Sequence, residues 1–187
     1  MEIAYDEIEI FNSNKETLKK ISEDSSQNPY IYMTESDKEA ICFDKVKSNY
    51  IKGMKLPDNP ESNDALYIVN ENELYFIEFK NGKLNNKDKI FNLYEKIYNS
   101  LLIFTDITKT DLEYCRNHLN YILVYNESKN PTDKNSNQDT SKNQIAKHFS
   151  NKAGKTFCLF YLNKFEKIYF KKVLTYTEKE FEKFISD

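Results

Sequence analysis

No stretch of the chain approaches the ~20 consecutive apolar residues that a membrane span requires. The opening residues, Met1 to Glu7, are acidic where a secretory signal is basic. Neither a membrane-embedded protein nor one exported by an N-terminal signal is expected. Cysteine is scarce as well: Cys42, Cys115 and Cys158 are odd in number, far apart and never in C-x-x-C spacing. That pattern points to neither a disulfide framework nor a zinc site, and it fits a reducing, cytoplasmic location. A surplus of positive charge is also missing. At a net charge of -3 the chain has no overall basic field of the kind that drives non-specific nucleic-acid binding, so any such contact must come from a local patch. A single arginine, Arg116, accompanies the many lysines, and lysine-rich surfaces carry correspondingly less functional meaning. Neither His118 nor His148 has a second histidine at ligand spacing, so surface or capping roles are expected of both. Tryptophan and internal repeats are absent.

What remains is a chain of 187 residues, suited to one domain over 1–187 with a core rich in its 13 Phe and 14 Tyr. Residues 2 to 11 mix acids with apolar residues and fit a strand and a helix equally well. Lys15 to Ile21 reads as a short helix, and Ser22 to Pro29 as a polar loop. Ser36 and Glu39 have capping-box spacing, and Ala40, Phe43, Val46 and Tyr50 recur at helical intervals, which predicts a helix over about 37–50. Gly53 and the Pro57 to Pro60 loop close it. Asn85 or Asn86 caps the next helix, on which Ile90, Phe91, Tyr94, Ile97, Tyr98 and Leu101 form an apolar stripe four to five turns long.

A shorter helix over Thr110 to Asn117 precedes Tyr121 to Tyr125, which is apolar at every position, as in a strand covered on both faces. Strand, long helix, strand is a crossover, so Tyr121 to Tyr125 is expected to lie parallel to the strand that precedes the helix. Asn126 to Gln144 has no large apolar residue and reads as a mobile surface loop. Ile145 to Ser150 reads as a helical turn, and Thr156 to Leu162 and Ile168 to Thr175 as strands. Thr177 and Glu180 form a second capping box, opening a helix that carries Phe181, Phe184 and Ile185. The fold class is mixed α/β: a mixed sheet flanked by helices, with its core at about 36–126 and a C-terminal strand and helix extension over 155–187.

The centre of this layout is Ser62 to Lys80, two strands joined by an Asn-rich turn. Strand side chains alternate with period two, so Glu78 and Lys80 share one face while Phe79 points to the other. Register decides whether Asp64 joins them. A three-residue loop at Asn70, Glu71 and Asn72 sets Val69 opposite Glu73, Leu66 opposite Phe76 and Asp64 opposite Glu78; a two-residue loop sends Asp64 to the wrong face. Two carboxylates on neighbouring strand ends plus one backbone carbonyl can supply half of an octahedral Mg²⁺ shell, and an adjacent lysine can position or deprotonate the attacking water.

With Asp64 at a strand start, a hairpin, and Glu78-Phe79-Lys80 closing the next strand before a helix and a buried strand, the chain resembles the PD-(D/E)xK nuclease superfamily. The resemblance covers roughly Ser36 to Asn126. It implies a restriction-endonuclease-like core, Mg²⁺ or Mn²⁺ as cofactor, and hydrolysis of phosphodiester bonds in nucleic acid, DNA before RNA. It further implies that Asp64 and Glu78 bind the metal, that Phe79 offers its carbonyl, and that Lys80 serves the attacking water. Some relatives add a Glu from the helix before the hairpin, for which Glu39 is the better-placed candidate and Glu35 the other. Lys83, Lys87 and Lys89 follow the motif where a nucleic-acid backbone would pass. The helicase-linked branch carries a Gln and a Tyr on the following helix; here Tyr94 and Tyr98 are present without a Gln. The superfamily also contains members that kept the scaffold for binding only, so the alternative expectation is a non-catalytic module that pairs with a protein, such as an immunity or antitoxin-like partner of a bacterial toxin.

Overall fold

A computed structural model describes residues 3–52, 54–55, 59–131 and 158–186. Six strands form one mixed sheet in the order β1-β4-β5-β6-β7-β8: β1 is Lys15–Thr17, β4 Glu39–Cys42, β5 Ala65–Asn70, β6 Glu73–Lys80, β7 Leu119–Tyr125 and β8 Val173–Thr177. The first four are joined antiparallel; β6 to β7 and β7 to β8 are parallel. A separate two-stranded ribbon pairs β2, Glu23–Asp24, with β3, Ile31–Tyr32. Among the described residues no helix is long and apolar enough to cross a membrane.

The alternation along β6 sorts its side chains onto two cores. Leu74 and Phe76 pack on one face with Tyr121, Leu123, Leu93, Ile97, Leu101 and Phe104. Tyr75, Ile77 and Phe79 pack on the other with Ile122, Val124, Phe181 and Ile185. The first face is covered by α4, Lys87–Thr108, with α3, Phe43–Tyr50, and α5, Leu112–His118; the second by α6, Glu178–Ser186. Both faces of the central strands are thus withdrawn from water, which explains why β7 is buried at all seven positions.

The crossover from β6 through α4 to a parallel β7 is as expected, and Asn86 is the residue that caps α4, accepting a hydrogen bond from the Lys89 N–H. The helix is longer than the stripe implied, at 22 residues, and it is turned. Its buried side chains are Leu93, Lys96, Ile97, Ser100, Leu101, Ile103 and Phe104, while Phe91 and Tyr98 face solvent. At ~100° per residue this places the buried face roughly a quarter turn from the one the apolar stripe marks.

Three other segments depart from expectation. Glu39–Cys42 is a strand rather than the first turn of a helix, because it is hydrogen-bonded between β1 and β5, and α3 begins only at Phe43. Local capping chemistry at Ser36 loses to two ladders of pairing. Of Lys15 to Ile21 only α2, Leu18–Ile21, is helical, and Lys15–Thr17 is β1. The strand expected over Thr156 to Leu162 does not form in its described part: Phe160 and Tyr161 both take φ near 59°, which breaks an extended backbone, and a 3₁₀ turn follows at Leu162–Phe165.

Residues 2 to 11, which fitted either element, hold a 3₁₀ turn at Tyr5–Glu7 and α1 at Glu9–Asn12. Asn126 to Asn130 is a tied turn rather than free loop: the Asn130 N–H donates to the Asn126 carbonyl, and the Leu84 N–H to Asn130 Oδ1. The remainder of that segment from Thr132, with Ile145 to Ser150, lies outside the described residues. The C-terminal part is no appendage, since β8 completes the sheet beside β7 and α6 closes its second face. The second capping box forms as read. Glu180 Oε2 accepts from the Thr177 N–H, and Thr177 Oγ1 accepts from the Glu180 N–H. Thr177→Ala should therefore cost about 1 kcal/mol in urea unfolding, with an unchanged denaturant slope.

Candidate functional site

The hairpin delivers Asp64 to Glu78, though by a different route from the one its turn implied. The turn has two central residues, Glu71 and Asn72, with Asn70 paired to Glu73. The ladder then slips by one between Ile68 and Asn70, leaving Val69 as a bulge, and resumes at Ile68–Leu74 and Leu66–Phe76. Ala65 pairs with Ile77, which sets Asp64 level with Glu78. The odd residue that parity demands sits in the strand instead of the loop.

Asp64 Oδ2 accepts from the Phe79 N–H at 2.7 Å, and the Asp64 carbonyl accepts from the Phe43 N–H that opens α3. The preceding Asn63 N–H donates to Ser100 Oγ on α4 at 2.8 Å. Glu78 is completely buried, and its Oε1 forms an ion pair with Lys80 Nζ at 2.9 Å. Between the two acids sits Lys96 Nζ, donating to Glu78 Oε1 at 2.7 Å and to Asp64 Oδ1 at 3.2 Å. Both bonds end on one nitrogen, so the two accepting oxygens are at most about 6 Å apart.

Lys96 carries the information that the sequence reading missed. It lies on the turned face of α4, with Ser100 one turn later on the same face, and only a tenth of its side chain is exposed. Four polar groups are buried without a hydrogen-bond partner among the described residues: Glu78 Oε2, the Tyr121 hydroxyl, the Asn63 carboxamide and, away from the pair, His118 Nδ1. Tyr121 pairs with Phe76 across β6 and β7, so it stands on the Glu78 face one position removed. Burial, then the Glu78 and Asp64 charges, push its hydroxyl well above the usual range and keep it a neutral O–H donor.

Burial and the Asp64 charge push the Glu78 carboxyl up to about 7, against the opposing pull of Lys96 and Lys80. Burial alone would lower Lys96, but Asp64, Glu78 and the bond to Glu78 outweigh it and hold the ammonium above its ordinary range. The Glu78 shift fixes a sign. The native chain binds more protons than the unfolded one between the ordinary 4.5 and about 7. Stability therefore falls as pH rises through that window, by at most roughly 3 kcal/mol from this group. Urea midpoints measured from pH 5 to 8 should show that slope in the native chain and lose it in Glu78→Gln.

The remaining candidates do not join the pair. Glu39 lies on β4, where the register sets it level with Ile68, four residues or ~13 Å along the strand from Asp64. It lines instead a cleft of about 860 Å³ at the hairpin-turn end of the sheet, with Asp6, Glu7, Lys15 and Glu71. Glu35 is paired with Lys19. Lys83, Lys87 and Lys89 are exposed, the last two being two to two and a half turns before Lys96 on α4. His118 stacks on Tyr114 in the last turn of α5, and His148 is outside the described residues. Among the described residues no third Asp, Glu, His or Cys completes a metal-ligand cluster.

The pair nonetheless suits a hard divalent cation. Its donors are carboxylate oxygens, one of them buried and unpartnered, and a cation already bridges them in the form of the Lys96 ammonium. No protein-family model, curated protein or solved structure matches the chain.

Proposed function

We propose that the chain is a metal-dependent nuclease of the PD-(D/E)xK kind, with a restriction-endonuclease-like core that hydrolyses phosphodiester bonds in nucleic acid. The observation that carries this reading is the convergence of Asp64, Glu78 and Lys80 at the end of the β5–β6 hairpin, with both carboxylates bonded to one nitrogen. Asp64 and Glu78 would hold Mg²⁺ or Mn²⁺, which when bound supplies an activated water and neutralises charge at the phosphate. The Phe79 N–H fixes the orientation of the Asp64 carboxylate. Lys80, a quarter exposed, is the most solvent-accessible member and the group able to orient the attacking water.

Purified protein should cut plasmid DNA, single-stranded oligonucleotides or RNA in Mg²⁺ or Mn²⁺, with cleavage abolished by chelator and by Asp64→Asn. No cleavage of any of these substrates in either metal would sink the reading.

A second reading is favoured by one feature. Asp64, Glu78, Lys80 and Lys96 balance their charges among themselves in a largely buried cluster, as a purely structural anchor would. The chain would then be a non-catalytic module that binds a protein partner, and Mn²⁺ would leave its unfolding temperature unchanged.

A further inference from the structure

We propose that Lys96 is a tethered competitor for the divalent cation of the Asp64–Glu78 pair: its ammonium fills the seat, and metal loading requires it to leave. This rests on the metal-binding reading of the site given above.

Asp64 Oδ1 and Glu78 Oε1 are both bonded to Lys96 Nζ, the one group that bridges the two acids, while Lys80 Nζ touches Glu78 Oε1 alone, from the more exposed side. Asp64 Oδ2 is held by the Phe79 N–H, and only Glu78 Oε2 is left open. One monodentate oxygen is a poor site for an ion that dehydrates reluctantly, and a divalent ion placed among these oxygens would face the ammonium at short range. Lys96 and the metal are therefore alternatives.

The surrounding frame is built to survive the exchange. Asp64 is fixed by backbone groups, through the Phe79 N–H to its carboxylate and the Phe43 N–H to its carbonyl. Its neighbour Asn63 is anchored to Ser100, not to Lys96. Lys96 itself has a way out, since a tenth of its side chain already reaches solvent and four methylenes carry the ammonium. In the metal-free chain it offsets two acids that would otherwise repel each other in the core.

Mn²⁺ titration of the full chain by calorimetry should show Lys96→Met binding at least ten times more tightly than the native chain, with the gain lost in the Asp64→Asn, Lys96→Met double variant. An unchanged or weaker affinity in Lys96→Met, including no binding in either protein, overturns the proposal. Acylation of the native Lys96 amine by an N-hydroxysuccinimide ester, read by peptide mass spectrometry, gives a second test that needs no variant. Its rate should rise several-fold in Mn²⁺; a rate unchanged at every Mn²⁺ concentration overturns the proposal. The two readings separate cleanly. Tighter Mn²⁺ binding by Lys96→Met without any cleavage would defeat the nuclease reading alone, and metal-dependent cleavage with unaltered affinity in Lys96→Met would defeat this one alone.

Discussion

Lys96→Met should destabilise the metal-free chain by roughly 3–5 kcal/mol at pH 8, the scale of breaking a buried ion pair from one side. Methionine matches the length of the lysine stem and suits the surrounding Leu93, Ile97 and Leu101, so lost packing contributes little. The cost comes from the two acids left behind, because Glu78 has no exposed surface and keeps only Lys80 as a counterion. At pH 5 the deficit should shrink, since a Glu78 already raised to about 7 is pushed further up and takes a proton instead of remaining charged. Lys80→Met, at a quarter-exposed position, should cost no more than about 1 kcal/mol. Urea unfolding of the three proteins at both pH values checks this. A Lys96→Met within 1 kcal/mol of native at pH 8 would mean that Lys96 is not the principal counterion of Glu78.

The parts of this site that were legible in the sequence are the parts set by local parity. Glu78, Phe79 and Lys80 alternate because a strand does, and Asp64 reaches them once the hairpin contains an odd residue. Where that residue sits was not legible. A bulge at Val69 and a three-residue loop at Asn70 to Asn72 give the same register at Asp64, and tertiary packing of Leu66 and Ile68 against the α4-side core decides only that register. Capping chemistry was reliable at Thr177, where β8 ends on the capping residue itself and leaves the next turn free, and misleading at Ser36 to Glu39, where two neighbouring strands claim the backbone that follows.

Lys96 was invisible for a related reason. A helix with apolar residues on more than half its circumference does not say which of them face inward, and the stripe through Ile90, Tyr94, Ile97 and Leu101 leaves Lys96 on the far side, about 130° from its centre. The observed phase exposes Phe91 and Leu102 and buries Lys96 and Ser100. Burying a lysine in preference to a phenylalanine makes sense only when an acid waits for it, and Glu78 lies on the sheet face that this turn of the helix covers. The signal was therefore relational: a buried acid on β6 demands a base, and the lysine on the crossover helix that can reach it is Lys96.

That relation gives Glu78→Gln its diagnostic value. Glutamine keeps the shape and an acceptor oxygen for Lys96 and Lys80 while removing the charge that burial opposes. Asp64 remains as the anion for Lys96. Because burial makes Glu78 harder to ionise in the folded chain than in the unfolded one, with its carboxyl raised to about 7, the variant should be no less stable than native at pH 8. It gains at most roughly 3 kcal/mol as native Glu78 ionises. Cleavage, in contrast, should fall at least ~10³-fold, equivalent to about 4 kcal/mol, since an amide is a poor ligand for a hard divalent ion. Rising stability with vanishing activity is the mark of a charge retained for chemistry at a structural cost. A structural anchor behaves in the opposite way: Glu78→Gln would lose stability by unbalancing the cluster and would have no cleavage to lose. Measuring urea stability and metal-dependent cleavage on the same preparation decides between them, and a destabilised, equally active Glu78→Gln would remove Glu78 from the catalytic site.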